Sequence, residues 1–528
     1  MTAVDAGYGE IARAMAGALH AGAGAGWTAA TLQLRHTGGA VTCRAWSDVH
    51  EHLTVDFVPI AMSLGGKPPS ALEVRLTADG GYTFTARPDV AAVSPGMLVF
   101  DAGFRYPGHP RPGLPRPAGT EPTTAPTDPA VLAEVTGLAS EFAGLYTAIK
   151  GTPPPWPAGR TEAEVAAAEA RIGVRLPEDL RALYLVADGD PAESGLLGPY
   201  SHHGLDQLVA DYLEGEPGSY GWEDGLHDDG VVFEPAPFGR MKRLSRNDWW
   251  VTFGGDRAMN YLAVDLDPAT DGRPGQVFEY GRDIYGPLRL VSGSITDMLT
   301  EAVSAVRAGK YEDPGGTYLS PETGLRGGDE RSYHEIVSKA AEVDLAEAVA
   351  GVVAPELVQL LYVNDAADVN LAVFEPLGSL RQLSINRARS VTPSIAGLPE
   401  LESLQIEAGQ VDLAALAGHP ALWDLELTRV GSPVEVAVLA TLPRLLRLNL
   451  EGSAVRDWGE VCALPGLKVL RVDAQQIPEL LACGKPLPPL AALFVSGQTT
   501  LRQMSELRTA FGHGDADGEV VEISGTLT

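Results

Sequence analysis

A leucine motif that recurs through the last third of the chain limits the possible folds more than any other feature of the sequence. The pattern L-x-x-L-x-(L/I/V/Y) occurs seven times, at spacings of 21 to 23 residues. Its first leucines are Leu357, Leu380, Leu401, Leu422, Leu445, Leu467 and Leu490. A period of roughly 20 to 29 residues with this pattern gives one short parallel strand per unit, and stacked units share one core. The sequence therefore predicts a leucine-rich repeat solenoid over residues 335–528, closed by a helix and strand in TTLRQMSELRTAFG and EVVEIS.

Residues beside the strand leucines face the concave side of such a solenoid, and concave solenoid faces usually bind protein. The candidate partner-binding residues on this face are Asp424, Glu426, Arg447, Asn449 and Arg471. A merely soluble face would look similar, so that alternative stays open. The position that usually carries Asn or Cys holds instead Ala388, Gly409, Val430, Ser453 and Gln475, so we expect turns unlike those of a standard repeat.

Two segments without apolar periodicity divide the chain into three modules. Residues 106–129 contain eight prolines, and because proline favours extended polyproline II, we interpret them as a semi-rigid linker. Residues 309–334 combine glycines, prolines and charges, which indicates a second linker. The predicted architecture is a multidomain α+β protein, with a small α+β domain at 1–105, a second α+β domain at 130–308 and the repeats at 335–528.

The first module opens with an amphipathic helix, because Ile11, Met15 and Leu19 recur at helical spacing. Two hairpins follow, in which Leu32 and Leu34, and later Leu72, Val74 and Leu76, alternate with polar residues before Gly-containing turns. This pattern is similar to that of YezG-like immunity modules.

Helices followed by strands characterise residues 130–308, which predicts an α+β layout with an antiparallel sheet. Thr161-x-x-Glu164 forms a capping box at the start of one helix. The strings AEARIGVRLPEDLRALYLVADG (168–189) and WWVTFGGDRAMNYLAVDLDPATDGRPGQVFEY (249–280) resemble the SMI1/KNR4 family, also called the SUKH superfamily. The matching features are Glu169 before Gly173, Leu176-Pro177, Asp188-Gly189, Trp249 or Trp250, Gly254-Gly255-Asp256, Leu262, Asp265 with Pro268, and Gly275-Gln276-Val277.

The resemblance implies a binding domain without enzymatic activity. Bacterial members of the family are typically immunity proteins that neutralise polymorphic toxins, often nucleases or deaminases, while fungal members regulate cell-wall synthesis. The chain departs from the family in its longer segment 190–245, so no partner specificity carries over there.

The charges are strongly unbalanced, with 39 basic and 69 acidic residues and a net charge of −30. Such a chain repels a phosphate backbone, which excludes a general nucleic-acid binder. Residues 182–239 hold twelve acids and neither lysine nor arginine. The candidate partner-binding residues in this stretch are Asp211, Tyr212, Glu214, Tyr220, Trp222, Glu223, Asp224, Asp228 and Asp229. Aromatic anchors among acids suit an interface with a basic protein, although a solvated loop is an equal alternative.

Signals for catalysis are weak by comparison. Walker-type, G-x-S-x-G and H-E-x-x-H sequences are absent. Three sets of side chains are candidates for metal or acid–base sites: His50 and His52 with Glu51 and Asp56; His202 and His203 with His227, Asp228 and Asp229; and Asp265 with Asp267. In each set a structural or solvated role is the better interpretation. Cys462 and Cys483, 21 residues apart, are expected to stack as inert cysteines in the repeats.

We therefore expect no enzyme activity, no cofactor and no metal. The sequence shows neither a secretory leader nor a run of 18 apolar residues, so we expect a cytoplasmic protein without membrane contact. The favoured function is an SMI1/KNR4-type immunity protein that binds and occludes a toxin. The alternatives are an intracellular scaffold or regulatory protein and, third, a metal-dependent enzyme.

Overall fold

The structure, a computed structural model, describes residues 3–36, 41–64, 70–87, 93–94, 96–214, 230–284, 288–323, 333–337, 343–513 and 520–527. It shows a multidomain α+β protein. The first module is the sheet domain that contains residues 3–87. The middle module covers residues 129–323, and the repeat module covers residues 333–511.

The first module is an antiparallel sheet covered by a long helix. Its elements are α1 (Ala3–Gly22), β1 (Ala29–His36), β2 (Val41–Ser47), α2 (Val58–Leu64), β3 (Ser70–Thr77) and β4 (Gly81–Arg87). Ile11, Met15 and Leu19 share one face of α1 and are fully buried, as their spacing predicts. Both hairpins form: Leu32 pairs with Ala45 across β1 and β2, and β3 pairs with β4.

The fifth strand of this sheet comes from the far end of the chain. Residues Val521–Thr526 pair antiparallel with β4 over six residue pairs, giving the strand order β2-β1-β3-β4 and then the C-terminal strand. The sequence-based expectation that this strand caps the repeats is therefore wrong. Only the preceding helix, Leu501–Ala510, has that role, because Met504 and Leu507 are buried in the repeat core.

Two short strands lead out of the first module, β5 (Val93–Ser94) and β6 (Met97–Val99). Strand β6 pairs antiparallel with the last strand of the repeats, placing Leu98 opposite Leu493. Leu98 is buried in the repeat core. The first module is thus joined to the end of the repeat sheet by backbone hydrogen bonds as well as by side chains.

The middle module packs helices on one face of an antiparallel sheet. Its elements are α3 (Pro129–Lys150), α4 (Glu162–Ile172), α5 (Glu178–Val186), β7 (Ser201–His202), α6 (Leu205–Glu214), β8 (Trp250–Gly255), β9 (Asn260–Asp265), β10 (Gln276–Gly281), β11 (Arg289–Ser292), α7 (Ile295–Arg307), β12 (Tyr311–Glu312) and β13 (Ser320–Pro321). The sheet order is β11-β10-β9-β8-β7. The predicted capping box at Thr161 and Glu164 begins α4.

A buried ion pair holds α4 against α5. Arg181 and Glu169 are both fully buried and in contact, and Arg181 also pairs with Glu162 at 2.7 Å. The other oxygen of Glu169 accepts a hydrogen bond from the amide of Leu176 at 2.8 Å. The sequence features Glu169 and Leu176 therefore maintain the turn between two helices.

The repeat module is a ladder of parallel strands. Its elements are β14 (Tyr333–Val337), α8 (Leu345–Ala350), β15 (Leu360–Asn364), β16 (Asp368–Asn370), β17 (Gln382–Thr392), β18 (Ser403–Val411), β19 (Asp424–Leu427), β20 (Arg447–Asn449), α9 (Trp458–Cys462), β21 (Val469–Asp473), α10 (Ile477–Leu481), β22 (Ala492–Ser496) and α11 (Leu501–Ala510), before β23 (Val521–Thr526) joins the first module. The second leucines of six units lie side by side and are fully buried: Leu383, Leu404, Leu425, Leu448, Leu470 and Leu493.

The first repeat unit differs from the predicted register by one residue. Leu361, not Leu360, pairs with Leu383. Leu361 and Val363 are fully buried, whereas Leu360 and Tyr362 are only partly covered. A one-residue shift turns every side chain of a strand to its other face, so the correction changes which residues form the core.

Two side chains satisfy backbone groups in the turns, where the sequence predicts that the usual side chains are missing. The Ser453 hydroxyl accepts from the amide of Val430 at 2.9 Å and donates to the carbonyl of Leu427 at 2.7 Å. Gln476, next to the predicted position Gln475, donates to the carbonyl of Ser453 at 2.6 Å. Ser453 and Gln476 thus provide some of the side-chain-to-backbone hydrogen bonds that Asn or Cys provides in a standard repeat.

The segment 106–129, predicted as a linker, packs along the middle module. The amides of Gly113 and Leu114 both donate to the Asp248 carboxylate at 2.7 Å. Thr127 is buried. The prolines therefore form an extended strap on a protein surface and do not act as a free spacer.

Part of the second predicted linker, 309–334, also belongs to the middle module. Strands β12 and β13 form a small hairpin, and Leu319 beside it is fully buried in the module core. The Tyr146 hydroxyl donates to the carbonyl of Thr317 at 2.6 Å. Residues 309–323 are thus a folded part of this module.

Candidate protein-binding surfaces

Helix α6 carries the first three residues of the candidate acidic interface. Tyr212 lies on its packed side, where the hydroxyl donates to the carbonyl of Asp248 at 2.8 Å and burial raises the pKa of Tyr212 to about 12. Asp211 accepts from Gln207 at 2.5 Å and lies 3.1 Å from Nδ1 of His203. Glu214, the last residue of the helix, is exposed. Of the three residues, Glu214 is therefore the one most open to a partner, and Tyr212 stabilises the module.

The remaining acidic candidates lie outside the described residues: Tyr220, Trp222, Glu223, Asp224, Asp228 and Asp229. On either side of these residues, Glu214 ends helix α6 of the middle module, and the carbonyl of Gly230 lies 3.0 Å from Nε2 of His109. Val231, the next residue, is buried against the repeat module. Glu214 therefore lies on the middle module, whereas Val231 packs on the repeats.

Three of the five candidate residues on the repeat strands are buried: Asp424, Arg447 and Asn449. Arg447 lies 3.4 Å from the Asp424 carboxylate and also pairs with Glu426. Asn449 donates to Glu426 at 3.1 Å. The expectation of an open polar face is corrected at these positions, because neighbouring strands use these side chains to bind one another.

The other two candidates, Glu426 and Arg471, are partly exposed. The guanidinium of Arg471 lies 4.9 Å from the centre of the Phe494 ring, in a cation–π arrangement. Their role in partner binding stays a prediction.

A cluster that we call the hydrophobic bridge covers part of the repeat strands with residues from elsewhere in the chain. Its buried members are Met97, Val99, Tyr106, Val231, Trp423, Val469, Ala492 and Phe494. Tyr106 lies with its ring centre 5.4 Å from that of Trp423, which is fully buried. The bridge therefore unites strand β6, the start of the proline-rich segment, Val231 of the acidic stretch, the repeat strands β21 and β22, and Trp423 directly before β19.

A polar cluster that we call the Glu402 clamp lies beside this bridge. The buried Glu402 carboxylate accepts hydrogen bonds from Arg243 of the middle module, from Arg381 at 2.9 Å and from the indole of Trp423 at 3.1 Å. Nearby, Gln359 donates to the carbonyl of Glu234 at 2.7 Å and accepts from its amide at 2.9 Å. The middle and repeat modules are thus joined by charged and backbone hydrogen bonds.

One signal for this contact is present in the sequence. The residue directly after the first leucine is charged in three units (Arg381, Glu402 and Lys468) and apolar in the other four (Val358, Trp423, Leu446 and Ala491). Trp423 is by far the largest apolar side chain at a position that three units fill with a charge, which indicates burial against something outside the repeats. The partners of Trp423 are distant in sequence, so the pattern alone does not identify them.

The weaker chemical candidates do not assemble into a site in the described part of the chain. His50 and His52 are exposed in an irregular segment rather than on a strand, which corrects the expected shared face. Burial lowers the pKa of His202 to about 3, so it stays neutral, while His203 faces Asp211. Among the described residues no three His, Cys, Asp or Glu side chains are grouped to hold a metal ion.

Asp265 and Asp267 have structural roles at the end of β9. Asp265 is fully buried, and burial raises its pKa to about 6. It accepts from the amide of Asp267 and from the side chain of Gln276, both at 2.9 Å. Asp267 pairs with Lys242 at 2.5 Å. The two carboxyl groups therefore fix a strand end, as the resemblance implies.

Comparison with known proteins identifies the class of the middle module. Residues 159–301 match the SMI1 / KNR4 family (SUKH-1). The chain thus contains a SUKH-1 domain, formed by α4 to α7 and the five-stranded sheet. No curated protein matches the chain. Within the described ranges, every helix is too short or too polar to cross a membrane.

A solved structure similar to part of the chain is an internalin (inlF) from Listeria monocytogenes str. 4b F2365. The two share 17% sequence identity with a TM-score of 0.20, over 31% of this chain and 55% of the internalin. This chain therefore spans about half of the internalin's length.

Proposed function

We propose that this protein is a non-enzymatic binding protein whose SUKH-1 domain neutralises a toxin by covering its active surface. The observation that carries the proposal is the SUKH-1 match over residues 159–301. A protein partner fits this class better than a small molecule, because the candidate metal or catalytic residues that the structure describes have structural partners or lie exposed and apart, while His227, Asp228 and Asp229 lie outside the described residues. The predicted cytoplasmic location and the absence of nucleic-acid and membrane partners belong to the same proposal.

The acidic segment supports a basic partner. The stretch 182–239 contains no lysine or arginine, its aromatic residues lie among acids, and Glu214 within it is exposed. Acidic surfaces accelerate association with basic proteins, and aromatic anchors slow dissociation. The described residues on either side of residues 215–229 have fixed places: Glu214 ends α6, and Val231 is buried in the hydrophobic bridge.

In this proposal the repeat module is a leucine-rich repeat solenoid that acts mainly as a scaffold. Asp424, Arg447 and Asn449 are already paired, and the hydrophobic bridge fills part of the strand surface. Glu426 and Arg471 are partly exposed, although Glu426 is paired with Arg447 and Asn449 and Arg471 lies over Phe494. A partner that contacts the acidic segment would therefore meet the SUKH-1 domain and the repeats as neighbours.

The proposal is tested first by identifying the partner and then by removing charge from the acidic segment. Tagged protein is captured from its native cells at low and moderate salt, and captured proteins are identified by mass spectrometry. The captured candidate is purified, and its association with the protein is measured against salt. Replacing Glu223, Asp224, Asp228 and Asp229 by their amides should slow association by about tenfold at low salt and flatten its salt dependence.

A matched control has the same change in net charge at exposed acids elsewhere. It combines Glu121→Gln, Glu134→Gln, Glu356→Gln and Glu375→Gln. We expect this variant to bind as the unchanged protein does. Equal binding by both variants would refute the acidic interface, and capture of several housekeeping proteins without a toxin would favour the scaffold alternative.

A further inference from the structure

Two cysteines of consecutive repeats are in direct contact on the side of the repeat module that carries its helices. Cys462 is the last residue of α9, and Cys483 lies two residues after the end of α10. Their sulfur atoms are 3.3 Å apart, and both residues are partly exposed. Cys43, the third cysteine of the chain, is exposed on β2.

We propose that Cys462 and Cys483 form a reversible disulfide that joins adjacent repeats when the protein meets a peroxide. The pair needs to close by roughly 1.3 Å, from 3.3 Å to the bond length of about 2.05 Å. Partial exposure of both residues lets a small oxidant reach them. This modification is independent of the proposed toxin binding.

The reaction balances with hydrogen peroxide as the named oxidant. One thiol loses its proton, and its sulfur attacks the peroxide oxygen to give a sulfenic acid and one water. The second sulfur then displaces the hydroxyl group, which leaves as a second water, and the disulfide forms. The two sulfurs lose two electrons in total, and the peroxide gains them.

The surroundings make this a slow, oxidant-dependent site. Burial, together with a hydrogen bond to Cys483, raises the pKa of Cys462 to about 12, so little thiolate is present there at neutral pH. The thiol of Cys483 donates a weak hydrogen bond to the carbonyl oxygen of Lys485, which lies 3.7 Å from its sulfur. In a reducing compartment the pair stays as two thiols.

The disulfide would close a loop over residues 463–482, which contains strand β21. That strand lies next to β22, on which β6 and the first module are fixed. A covalent link at this place therefore stabilises the end of the repeat sheet that holds the first module.

The test uses the full-length protein carrying Cys43→Ser, reduced, desalted and then exposed to hydrogen peroxide. We expect the intact mass to fall by two hydrogen atoms, peptide mapping to show a Cys462–Cys483 link, and dithiothreitol to reverse both changes. Two free thiols after treatment, or sulfinic acid without a link, would overturn the proposal.

A second measurement tests the consequence of the link. Melting temperature is compared before and after oxidation for the Cys43→Ser protein and for the same protein with Cys462→Ser added. We expect oxidation to raise the melting temperature only where both sulfurs are present. A link that forms without any rise would show that it does not stabilise the repeat sheet.

Discussion

The Glu402 clamp leads to a quantitative prediction about how the middle and repeat modules are coupled. Replacing Glu402 by alanine removes the acceptor shared by Arg243, Arg381 and the fully buried indole of Trp423. Breaking a buried, hydrogen-bonded ion pair from one side costs about 3–5 kcal/mol, since the remaining groups stay buried without their partner. Because every 1.4 kcal/mol is a factor of ten, the unfolding equilibrium of the joined modules should shift by at least about a hundredfold.

Glu400 provides the matched control, two residues earlier in the chain. Its side chain is half exposed and contacts the same arginine, Arg381, at 3.1 Å. An exposed ion pair contributes about 0–1 kcal/mol, so Glu400→Ala should change stability little. Glu402→Gln should lie between the two, because the amide oxygen still accepts a hydrogen bond from the indole.

Differential scanning calorimetry and urea unfolding measure the effect. In the unchanged protein we expect the middle and repeat modules to unfold in one transition, because the clamp and the hydrophobic bridge hold them together. Glu402→Ala should separate two transitions or lower the midpoint clearly, and Glu400→Ala should do neither. Equal effects of the two alanine variants would refute the reasoning that burial gives Glu402 its importance.

Three further predictions concern the folded core. Arg181→Met should destabilise the middle module by about 3–5 kcal/mol in urea, and adding Glu169→Gln should restore part of that loss, because it removes the buried unpaired charge; a double variant no more stable than the single one would contradict this. His202 has a pKa of about 3 in the folded state against 6.5 when unfolded, so its contribution to stability is present above pH 6.5 and is lost as pH falls toward 3, by up to about 1.4 kcal/mol per pH unit. Asp265, with its raised pKa of about 6, has the opposite effect: between pH 3.8 and 6 it stabilises the folded state as pH falls. The test therefore measures melting temperature from pH 7 to 4.5 for the His202→Phe variant and for the unchanged protein. Parallel curves would exclude the effect of His202. Ending the chain after residue 519 removes β23, which should lower the melting temperature of the first module and speed amide exchange in β4, while the SUKH-1 domain melts as before.

The repeat strands and the SUKH-1 domain were predictable because their signals are local and recur. A leucine every 21 to 23 residues fixes both strand spacing and the buried face, and it fails only where Leu360 and Leu361 offer two registers. The buried pair Arg181 and Glu169 also lies within a short motif. Such features can be recognised in a short stretch of sequence, without information about distant parts of the chain.

The contacts between modules were not predictable for the opposite reason. A proline-rich segment has the same composition whether it is solvated or packed, and the packing shows only in contacts with distant residues, such as the Asp248 carboxylate that accepts from its amides. The buried state of Asp424 and Arg447 likewise depends on neighbouring strands and on the bridge. A strand such as β23 carries no sign of which distant edge it completes.

That last strand has a consequence for how the protein is made. More than 430 residues separate β4 from the strand that completes its sheet. At a synthesis rate of about 5–20 residues per second, roughly 20 to 90 s pass between the two reaching the ribosome exit. During that interval the first module has an unpaired edge, which is the kind of surface that chaperones protect and that aggregation exploits. Ribosomes that stall before residue 521 would therefore release a chain whose SUKH-1 domain is complete but whose N-terminal sheet is open, a state that proteases can recognise.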